Sequence, residues 1–133
     1  ASPVVPLIGG GRTRLQPVHA DDVAEAACAA LRDSTAPGAT YEIGGPEAFT
    51  LRAIIEMILA GMGRRRLLVP IGFVLADPLA RLLERVPRAP LTVAQVDLLR
   101  ADNVPAPGSP GLAELGIDPP RKLQDILATL AVR

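Results

Sequence analysis

Three side chains near the start of this chain are of types that can bind an anionic substrate. Arg12 and Arg14 flank the beginning of a short predicted strand, where a guanidinium can hold a phosphate or carboxylate through two parallel hydrogen bonds. His19, the only histidine, stands beside two aspartates and can act as an acid or base near neutral pH. Each also has a plainer interpretation, because loop arginines are usually solvated and a lone histidine at a strand end usually hydrogen-bonds to the backbone. We therefore treat Arg12, Arg14 and His19 as candidate substrate-binding residues and assign no catalytic residue.

Glycine clusters are the second feature that could bind a ligand. The backbone amides of Gly9, Gly10 and Gly11 could hold an oxyanion. A dinucleotide loop, however, requires Gly-x-Gly-x-x-Gly between a strand and a helix, and here Arg-Thr-Arg follows and leads into a strand. The segment Gly44-Gly45-Pro46 fails in the same way. Both clusters are interpreted as turns at strand ends.

The other reactive residue types lack the partners that chemistry requires. Cys28 lies among alanines in a predicted helix, which indicates a small core residue rather than a nucleophile. Asp21 and Asp22 are adjacent at a helix start, point in different directions and are interpreted as caps. The run of arginines over 64–66 binds an anionic partner in one interpretation and is a solvated helix end in the other. No metal, hydrolase or Walker motif occurs, so the sequence contains no self-sufficient catalytic site.

Composition excludes several classes of protein. The 133 residues carry 14 basic and 14 acidic side chains, so no overall field attracts nucleic acid. The one cysteine excludes an internal disulfide and suits a reducing compartment. No signal peptide is visible, and the longest uncharged apolar run, over 67–76, is about half the length of a membrane helix. We therefore expect a soluble, cytoplasmic chain that forms a single region over 1–133 and has no nucleic-acid partner.

The elements that must position the candidate residues form an α/β, helix-rich pattern with few strands. An extended segment over 1–13 leads into a strand over 14–19. Asp21 or Asp22 is expected to cap the next helix, which has an alanine-rich apolar face. A second strand is expected over 40–43, before the second glycine turn. The order strand, helix, strand, glycine turn is typical of the later half of a nucleotide-binding α/β enzyme.

The rest of the chain is predicted to be mostly helical. Thr50 is a good N-cap for one helix, and the capping box Thr92-Val93-Ala94-Gln95 begins another of about nine residues. Two helices are expected to meet at Asp77-Pro78, with the proline at the first helical position. Residues 101–111, rich in proline and glycine, form a clear loop. The segment Asp118-Pro119-Pro120 is expected to begin the last helix.

Several stretches resemble a known family. Residues 6–12, residues 16–24 (Gln-Pro-Val-His-Ala-Asp-Asp-Val-Ala) and residues 41–46 (Tyr-Glu-Ile-Gly-Gly-Pro) are similar to the C-terminal half of extended and atypical short-chain dehydrogenases/reductases, the NAD-dependent epimerase/dehydratase group. Residues 49–52 (Phe-Thr-Leu-Arg) and 99–104 (Leu-Arg-Ala-Asp-Asn-Val) are similar to one branch of it. That branch contains the 39-kDa-type accessory subunit of respiratory complex I (NADH:ubiquinone oxidoreductase) and its bacterial relatives.

The resemblance implies a Rossmann-type protein whose N-terminal half binds NAD(P)(H) on a Gly-rich loop. Its enzymatic members use a Tyr-x-x-x-Lys pair, which has no counterpart here, since the only lysine, Lys122, is not so spaced from the only tyrosine, Tyr41. The role that carries over is that of the C-terminal half, which forms the substrate side of the cleft. In sugar-nucleotide members an arginine near the strand entrance meets the ligand's phosphates, and Arg12, followed by Arg14, is nearest to that position. NAD(P)(H) is therefore expected in a full-length protein and not on this chain alone.

Two functions from different classes follow. In the first, the chain is the C-terminal substrate-binding region of an NAD(P)-binding oxidoreductase- or epimerase-like protein and is not catalytically complete alone. In the second, it is a non-catalytic assembly module that docks onto a membrane-associated respiratory complex through residues 67–86 and the arginines over 64–66. A third possibility, a self-contained binding domain, requires that the chain fold alone.

The expected partners follow from the same resemblance. They are a missing N-terminal nucleotide-binding domain, subunits of a respiratory complex and, for the chain by itself, a second copy. Self-association is expected because the apolar faces Val23/Ala27/Ala30 and Ile54/Ile58 would be left uncovered without that domain. From the resemblance we expect a cytoplasmic location that includes the periphery of the inner membrane.

Overall fold

A computed structural model describes residues 3–33, 37–87 and 89–130. Within them lie five α-helices and four β-strands, and a tight turn, Gly9–Gly11, follows the first strand. In chain order they are β1 Val4–Ile8, β2 Arg14–Leu15, α1 Ala20–Arg32, β3 Phe49–Thr50, α2 Leu51–Gly61, β4 Leu67–Ile71, α3 Phe73–Leu83, α4 Val93–Leu98 and α5 Leu123–Leu130. The expected α/β, helix-rich class with few strands is confirmed. The first two residues of the extended segment predicted over 1–13 lie outside the described residues, and part of the remainder forms β1.

The chain divides into two compact units, each built from two separated stretches. Unit 1 comprises Ala1–Leu15 and Phe49–Asn103, and unit 2 comprises Gln16–Ala48 and Val104–Arg133. The four strands in the described part of the chain all lie in unit 1, together with α2, α3 and α4. Helices α1 and α5 lie in unit 2. The expectation of a single region over 1–133 stays a prediction.

Strands β1 and β4 form the main sheet of unit 1. They pair in parallel, and the register ends with Ile8 opposite Ile71. Each strand contains a proline, Pro6 or Pro70, which has no N–H to donate to the ladder. A two-stranded sheet tolerates them because each strand keeps one open edge. The carboxyl ends of both strands therefore lie side by side.

The second sheet is smaller than the sequence predicted. Strand β2 pairs antiparallel with β3 over two residues, and Leu15 also bridges Asn103. The strand expected over 14–19 thus ends at Leu15, and Pro17 has no N–H with which to extend the ladder. The prediction of a strand over 40–43 is wrong, because these residues pair with no strand in the described part of the chain. The Glu42 N–H instead donates to the Pro110 carbonyl in a loop, at 2.9 Å.

The helix caps predicted at Thr50 and Thr92 are confirmed. The Thr50 hydroxyl accepts a hydrogen bond from the Ala53 N–H at 3.1 Å. At the start of α4 the Gln95 N–H donates to the Thr92 hydroxyl at 3.2 Å, and the Thr92 N–H donates to Gln95 Oε1 at 3.0 Å. Both bonds of the capping box are therefore present. Helix α4 ends at Leu98, earlier than predicted.

Two other helix boundaries were predicted wrongly. Helix α3 continues through Pro78, so the break expected at Asp77-Pro78 is absent. The carbonyl of Val74, which Pro78 cannot satisfy, belongs to a strongly exposed residue and can bond to water. The last helix begins at Leu123 rather than at Asp118. The Arg121 N–H donates to a carboxylate elsewhere in unit 2, which holds that residue outside the helix.

The cap of α1 also differs from the prediction. His19 is the N-cap, and its Nδ1 accepts a hydrogen bond from the Asp21 N–H at 3.2 Å. Asp21 and Asp22 lie in the first turn instead, so the interpretation of them as caps is wrong. The imidazole can take this role because His19 is still extended, with φ −73° and ψ 141°.

The predicted apolar face of α1 is largely uncovered. Ala26 is buried, but Val23 and Leu31 are exposed, the latter by 88%. Cys28 is exposed as well, so the prediction of a core cysteine is wrong. In unit 1, Ile58 of α2 is also exposed. Uncovered apolar side chains were expected on both helices, whereas self-association stays a prediction.

The core of unit 1 is built at the point where α3 and α4 meet the end of β1. Its buried residues are Ile8, Ala76, Ala80 and Val96. Partly buried Ile71, Phe73, Leu91, Val93 and Leu99 pack against them. Alanines at 76 and 80 let α4 approach α3 closely, so this core is compact but small.

The contact of Gly45 with Pro17 provides a test of the fold of unit 2. A Cβ on Gly45 would lie 1.8 Å from the Pro17 carbonyl oxygen, a backbone atom that cannot rotate away. Gln16 Nε2 also donates to the Gly45 carbonyl, at 2.6 Å. We expect Gly45→Ala to destabilise the chain by about 2 kcal/mol or more, because the backbone must move. Chemical denaturation followed by circular dichroism measures the loss.

Gly72→Ala is the matched control for Gly45→Ala. Gly72 has φ −67°, and a Cβ there would meet nothing within 4 Å. We expect a cost of at most about 1 kcal/mol, since only the residue type at a helix N-cap changes. Equal losses for the two variants would contradict the packing argument.

Candidate functional site

A cavity of about 520 Å³ opens at the carboxyl ends of β1 and β4. Parallel strands commonly bind ligands at this edge, where loops leave the sheet. All of its lining residues belong to unit 1. They are Gly9, Gly10, Arg12, Thr13, Pro70, Gly72, Phe73, Leu99, Arg100 and Asp102.

Glycine is required where the turn after β1 meets α3. Gly9, Gly10 and Gly11 all have positive φ, at 62°, 70° and 70°, a conformation that other residues rarely adopt. A Cβ on Gly9 would lie 2.5 Å from Cζ of Phe73, the first residue of α3. The glycine turn and the Phe73 ring therefore pack against each other, and together they form one wall of the cavity.

Hydrogen bonds fix Thr13 and Arg14, the two residues that follow Arg12. The Thr13 hydroxyl donates to the Leu99 carbonyl, and its own carbonyl accepts from the Leu51 N–H at 2.9 Å. The Arg14 N–H donates to Asp102 Oδ1 at 2.8 Å. Thr13 is buried. The backbone that carries Arg12 into the cavity is thus held by buried and directed contacts.

The two arginines of the cavity differ in their availability. Arg100 donates to both carboxylate oxygens of Asp77 at 2.6 Å and to Asp97 at 3.1 Å. Its guanidinium also lies 4.8 Å from the centre of the Phe73 ring. The hydrogen bond to Asp77, followed by that to Asp97, raises the pKa of Arg100 above its ordinary value. Arg100 is therefore held by two aspartates and by the Phe73 ring.

Arg12 is the cation that remains available to a ligand in this cavity. It is exposed, and its guanidinium has no hydrogen-bond or ion-pair partner within the residues that the structure describes. A guanidinium in this state can bind a phosphate or carboxylate through two hydrogen bonds. The geometry therefore favours an anionic ligand.

The three predicted site residues are divided between the two units. Arg12 lines the cavity, whereas Arg14, two residues later, is exposed outside the lining. His19 belongs to unit 2 and caps α1. Its Nδ1 accepts a hydrogen bond from the Asp21 N–H and lies 3.6 Å from the Asp21 carboxylate. Substrate binding by these three residues stays a prediction.

The turn Gly9–Gly11 lacks the features of a dinucleotide loop. A cradle for a dinucleotide pyrophosphate needs glycines that leave room for a close ligand. Here Gly9 is filled by the Phe73 ring, and a Cβ on Gly11 would lie 3.0 Å from Cβ of Arg52 and 3.2 Å from Leu7. A strand, and not a helix, follows this turn. In the described residues there is also no group of three or more His, Cys, Asp or Glu arranged to hold a metal ion.

The sequence analysis missed an ion pair in unit 2. Asp22 is only 1% exposed, and its carboxylate accepts from the Arg121 N–H at 2.8 Å and from the Arg121 guanidinium. The same guanidinium reaches Glu25 at 3.1 Å. The hydrogen bonds to Glu25 and then to Asp22 raise the pKa of Arg121 above its ordinary value. A buried acid predicts a distant cation, but the sequence spacing does not show which one.

Comparisons with known proteins relate the chain to a respiratory enzyme subunit. No family model matches it. It is similar to NADH dehydrogenase [ubiquinone] 1 alpha subcomplex subunit 9, mitochondrial, of Arabidopsis thaliana, with 43% identity over 89 residues, 62% of this chain and 22% of that protein. The same-named protein of Rattus norvegicus is 30% identical over 125 residues, 92% of this chain and 33% of that protein. Uncharacterized protein y4nG of Sinorhizobium fredii is 39% identical over 90 residues, 65% of this chain and 22% of that protein.

The chain thus spans between about a fifth and a third of the length of these relatives. Similarity to the complex I accessory subunit, expected from the sequence, is confirmed at this level. The finer expectation, that the chain belongs to a short-chain dehydrogenase/reductase, stays a prediction.

The buried carboxylate of Asp22 gives a direct test of the ion pair. Asp22→Asn keeps the size of the side chain but removes the charge that Arg121 meets. We expect it to lower the free energy of unfolding by about 1–3 kcal/mol, the usual cost of disrupting a buried charged hydrogen bond. Denaturation followed by circular dichroism measures the change.

Asp21→Asn is the matched control, since Asp21 is the exposed neighbour in the same helical turn. We expect a change within about 0.5 kcal/mol, as for an ordinary surface substitution. If Asp22→Asn were no more costly than Asp21→Asn, the ion pair would not stabilise unit 2.

Proposed function

We propose that this chain is the C-terminal, ligand-binding part of an NAD(P)-binding oxidoreductase- or epimerase-like protein related to the complex I accessory subunit. The observation that carries the proposal is the cavity at the carboxyl ends of β1 and β4, with the unpartnered Arg12 guanidinium in its lining. Similarity to mitochondrial NADH dehydrogenase subunits supports the relationship. Because the chain spans at most 33% of those relatives, the activity of a whole protein is part of the proposal.

In this proposal the ligand is anionic and the nicotinamide cofactor is held elsewhere. The glycine turn packs against Phe73 and leads into a strand rather than a helix, so the proposal places NAD(P)(H) on residues outside this chain. Arg12 would meet the phosphate or carboxylate of the substrate. The reacting groups would also come from outside, since no Tyr-x-x-x-Lys pair occurs in this sequence.

Uncovered surfaces support the proposal that another domain packs against this chain. Residues 40–43 pair with no strand in the described part of the chain, and the apolar side chains of Val23 and Leu31 on α1 are exposed. A nucleotide-binding domain with its own sheet would cover such features. The partners proposed here are that domain and, beyond it, subunits of a respiratory complex.

The second candidate function is a non-catalytic structural module of a membrane-associated respiratory complex. It is favoured by the exposed apolar side chains of Leu67, Val74 and Leu75, which lie in the stretch 67–86 through which such a module would dock. A Gly-rich loop and a tyrosine–lysine pair in the complete gene would favour the enzyme. Retention of bound NADPH without turnover by the complete protein would favour the module.

Binding of small anions tests the role of Arg12. We expect inorganic phosphate or citrate, titrated into the chain, to shift the amide resonances of Gly9, Gly10 and Gly72 in NMR spectra. Arg12→Gln should weaken this binding about tenfold or more, because a charged pair of hydrogen bonds is lost. Arg14→Gln is the control, since Arg14 is a nearby exposed arginine outside the cavity lining.

We expect Arg14→Gln to change the affinity by no more than about twofold, as non-specific screening alone would do. Equal losses for the two variants would show that the arginines act only through their general charge. Shifts confined to residues outside the cavity would place the ligand elsewhere and contradict the proposal.

A further inference from the structure

Helix α3 has an inverted pattern of burial. Its alanines Ala76 and Ala80 are fully buried, whereas Val74, Leu75 and Leu82 are 92%, 64% and 59% exposed. A helix at a protein surface ordinarily buries its large apolar side chains and exposes small or polar ones. Large apolar side chains gathered on an outward face mark a surface that binds something.

These exposed side chains share one face. At 100° per residue, Val74, Leu75, Pro78 and Leu82 fall within a single arc of the helix. We call this arc the α3 face. Exposed Val86 follows shortly after the helix end. The face is therefore an apolar stripe along the whole length of α3.

Positive charge borders the α3 face, and the nearby acids are engaged elsewhere. Arg81 and the following Arg85 are exposed, and neither forms an ion pair within the described residues. Asp77 is held by Arg100. The Glu84 carboxylate accepts from the N–H of Val93 at 2.8 Å. The surroundings of the face are therefore more basic than the sequence of α3 suggests.

Unit 1 as a whole is also basic and carries most of the exposed apolar side chains. Its sequence contains ten arginines and five acidic residues, a net charge of +5, while unit 2 has four basic and nine acidic residues, a net charge of −5. Of the eleven exposed large apolar side chains in the described residues, nine lie in unit 1 and two in unit 2. Apolar exposure and positive charge thus occur on the same unit, although the chain is neutral overall.

We propose that the α3 face docks onto the surface of an anionic lipid bilayer. Apolar side chains in the middle with arginines at the border are the pattern by which a helix lies in the headgroup region, because the apolar stripe enters the acyl boundary and the guanidiniums bind lipid phosphates. None of the helices in the described ranges is long and apolar enough to span a membrane. Helix α3, at 11 residues, would therefore lie on the bilayer.

Charge argues against a second copy of the chain as the occupant of this face. In a two-fold dimer the same patch is present on both sides of the interface. Two units of net charge +5 would then face each other across a low-dielectric contact, which is unfavourable. An anionic surface gains from the same charge. A protein partner remains an outcome of the test.

A tryptophan reporter makes the docking measurable. The chain has no tryptophan, so Val74→Trp places a single indole on the α3 face and Leu31→Trp places one on an equally exposed site of unit 2. Both are mixed with phosphatidylcholine vesicles that either contain or lack phosphatidylglycerol. We expect a blue shift of fluorescence for Val74→Trp with the anionic vesicles only, and none for Leu31→Trp.

Vesicle co-sedimentation of further variants separates the apolar and charged contributions. Leu75→Asp with Leu82→Asp should reduce binding to anionic vesicles by at least about tenfold, since two inserted leucines are lost. Arg81→Gln with Arg85→Gln should reduce it by about fivefold per arginine at low salt. Leu31→Asp, the matched control, should change it by no more than about twofold. All substituted residues are exposed, and circular dichroism verifies that the variants fold.

Three results would overturn the proposal. One is the absence of a shift or of co-sedimentation with anionic vesicles. Another is an equal loss for Leu31→Asp and for the Leu75/Leu82 variant. The third is a stable complex, with another copy or another protein, that the Leu75/Leu82 variant breaks while vesicles are not bound. Vesicle binding and the binding of small anions at Arg12 are measured separately, so failure of one does not decide the other.

Discussion

The parallel pairing of β1 with β4 is the constraint on which the rest of unit 1 depends. Its register ends with Ile8 opposite Ile71, so the turns that follow must leave the sheet side by side. One turn leads to Arg12 and the other begins α3. Only glycine at position 9 allows this, because a Cβ there would overlap the Phe73 ring. The position of Arg12, the walls of the cavity and the start of α3 are consequences of this one arrangement.

Unit 2 has no sheet among its described residues and is held by different means. The Glu42 carboxylate accepts a hydrogen bond from the N–H of Ala106, in the loop over 101–111, at 2.7 Å. The buried Asp22 binds the segment before α5 through the backbone and side chain of Arg121. Such directed bonds can hold irregular segments with little apolar burial, provided that every buried polar group is satisfied. In the described part of the chain every buried side-chain nitrogen and oxygen has a hydrogen-bond partner.

Two correct predictions rest on a few neighbouring residues, although the equally local cap of α1 was expected at Asp21 or Asp22 and is His19. The caps at Thr50 and Thr92 were predictable because cap and partner lie within one helical turn. The strand expected over 40–43 was not found, since a strand depends on a partner segment that its own residues do not specify. The pairing of Asp22 with Arg121 was missed for the same reason, because it joins residues 99 positions apart. In the candidate site, Arg12 was proposed because it flanks the beginning of a predicted strand, and its role stays a prediction. The engagement of Arg100 by Asp77 was not predicted.

The two proposed surfaces of unit 1 share α3 and also share one electrostatic field. Phe73 at its start lines the cavity, while Val74 and Leu75 begin the face proposed to meet lipid. An anion bound at Arg12 would neutralise part of the net charge of +5 that attracts the unit to an anionic bilayer. Linkage then requires the bilayer to weaken binding of that anion by the same factor. Salt screens the repulsion between the anion at Arg12 and the anionic bilayer over about 8–10 Å. Each therefore weakens binding of the other most strongly at low ionic strength.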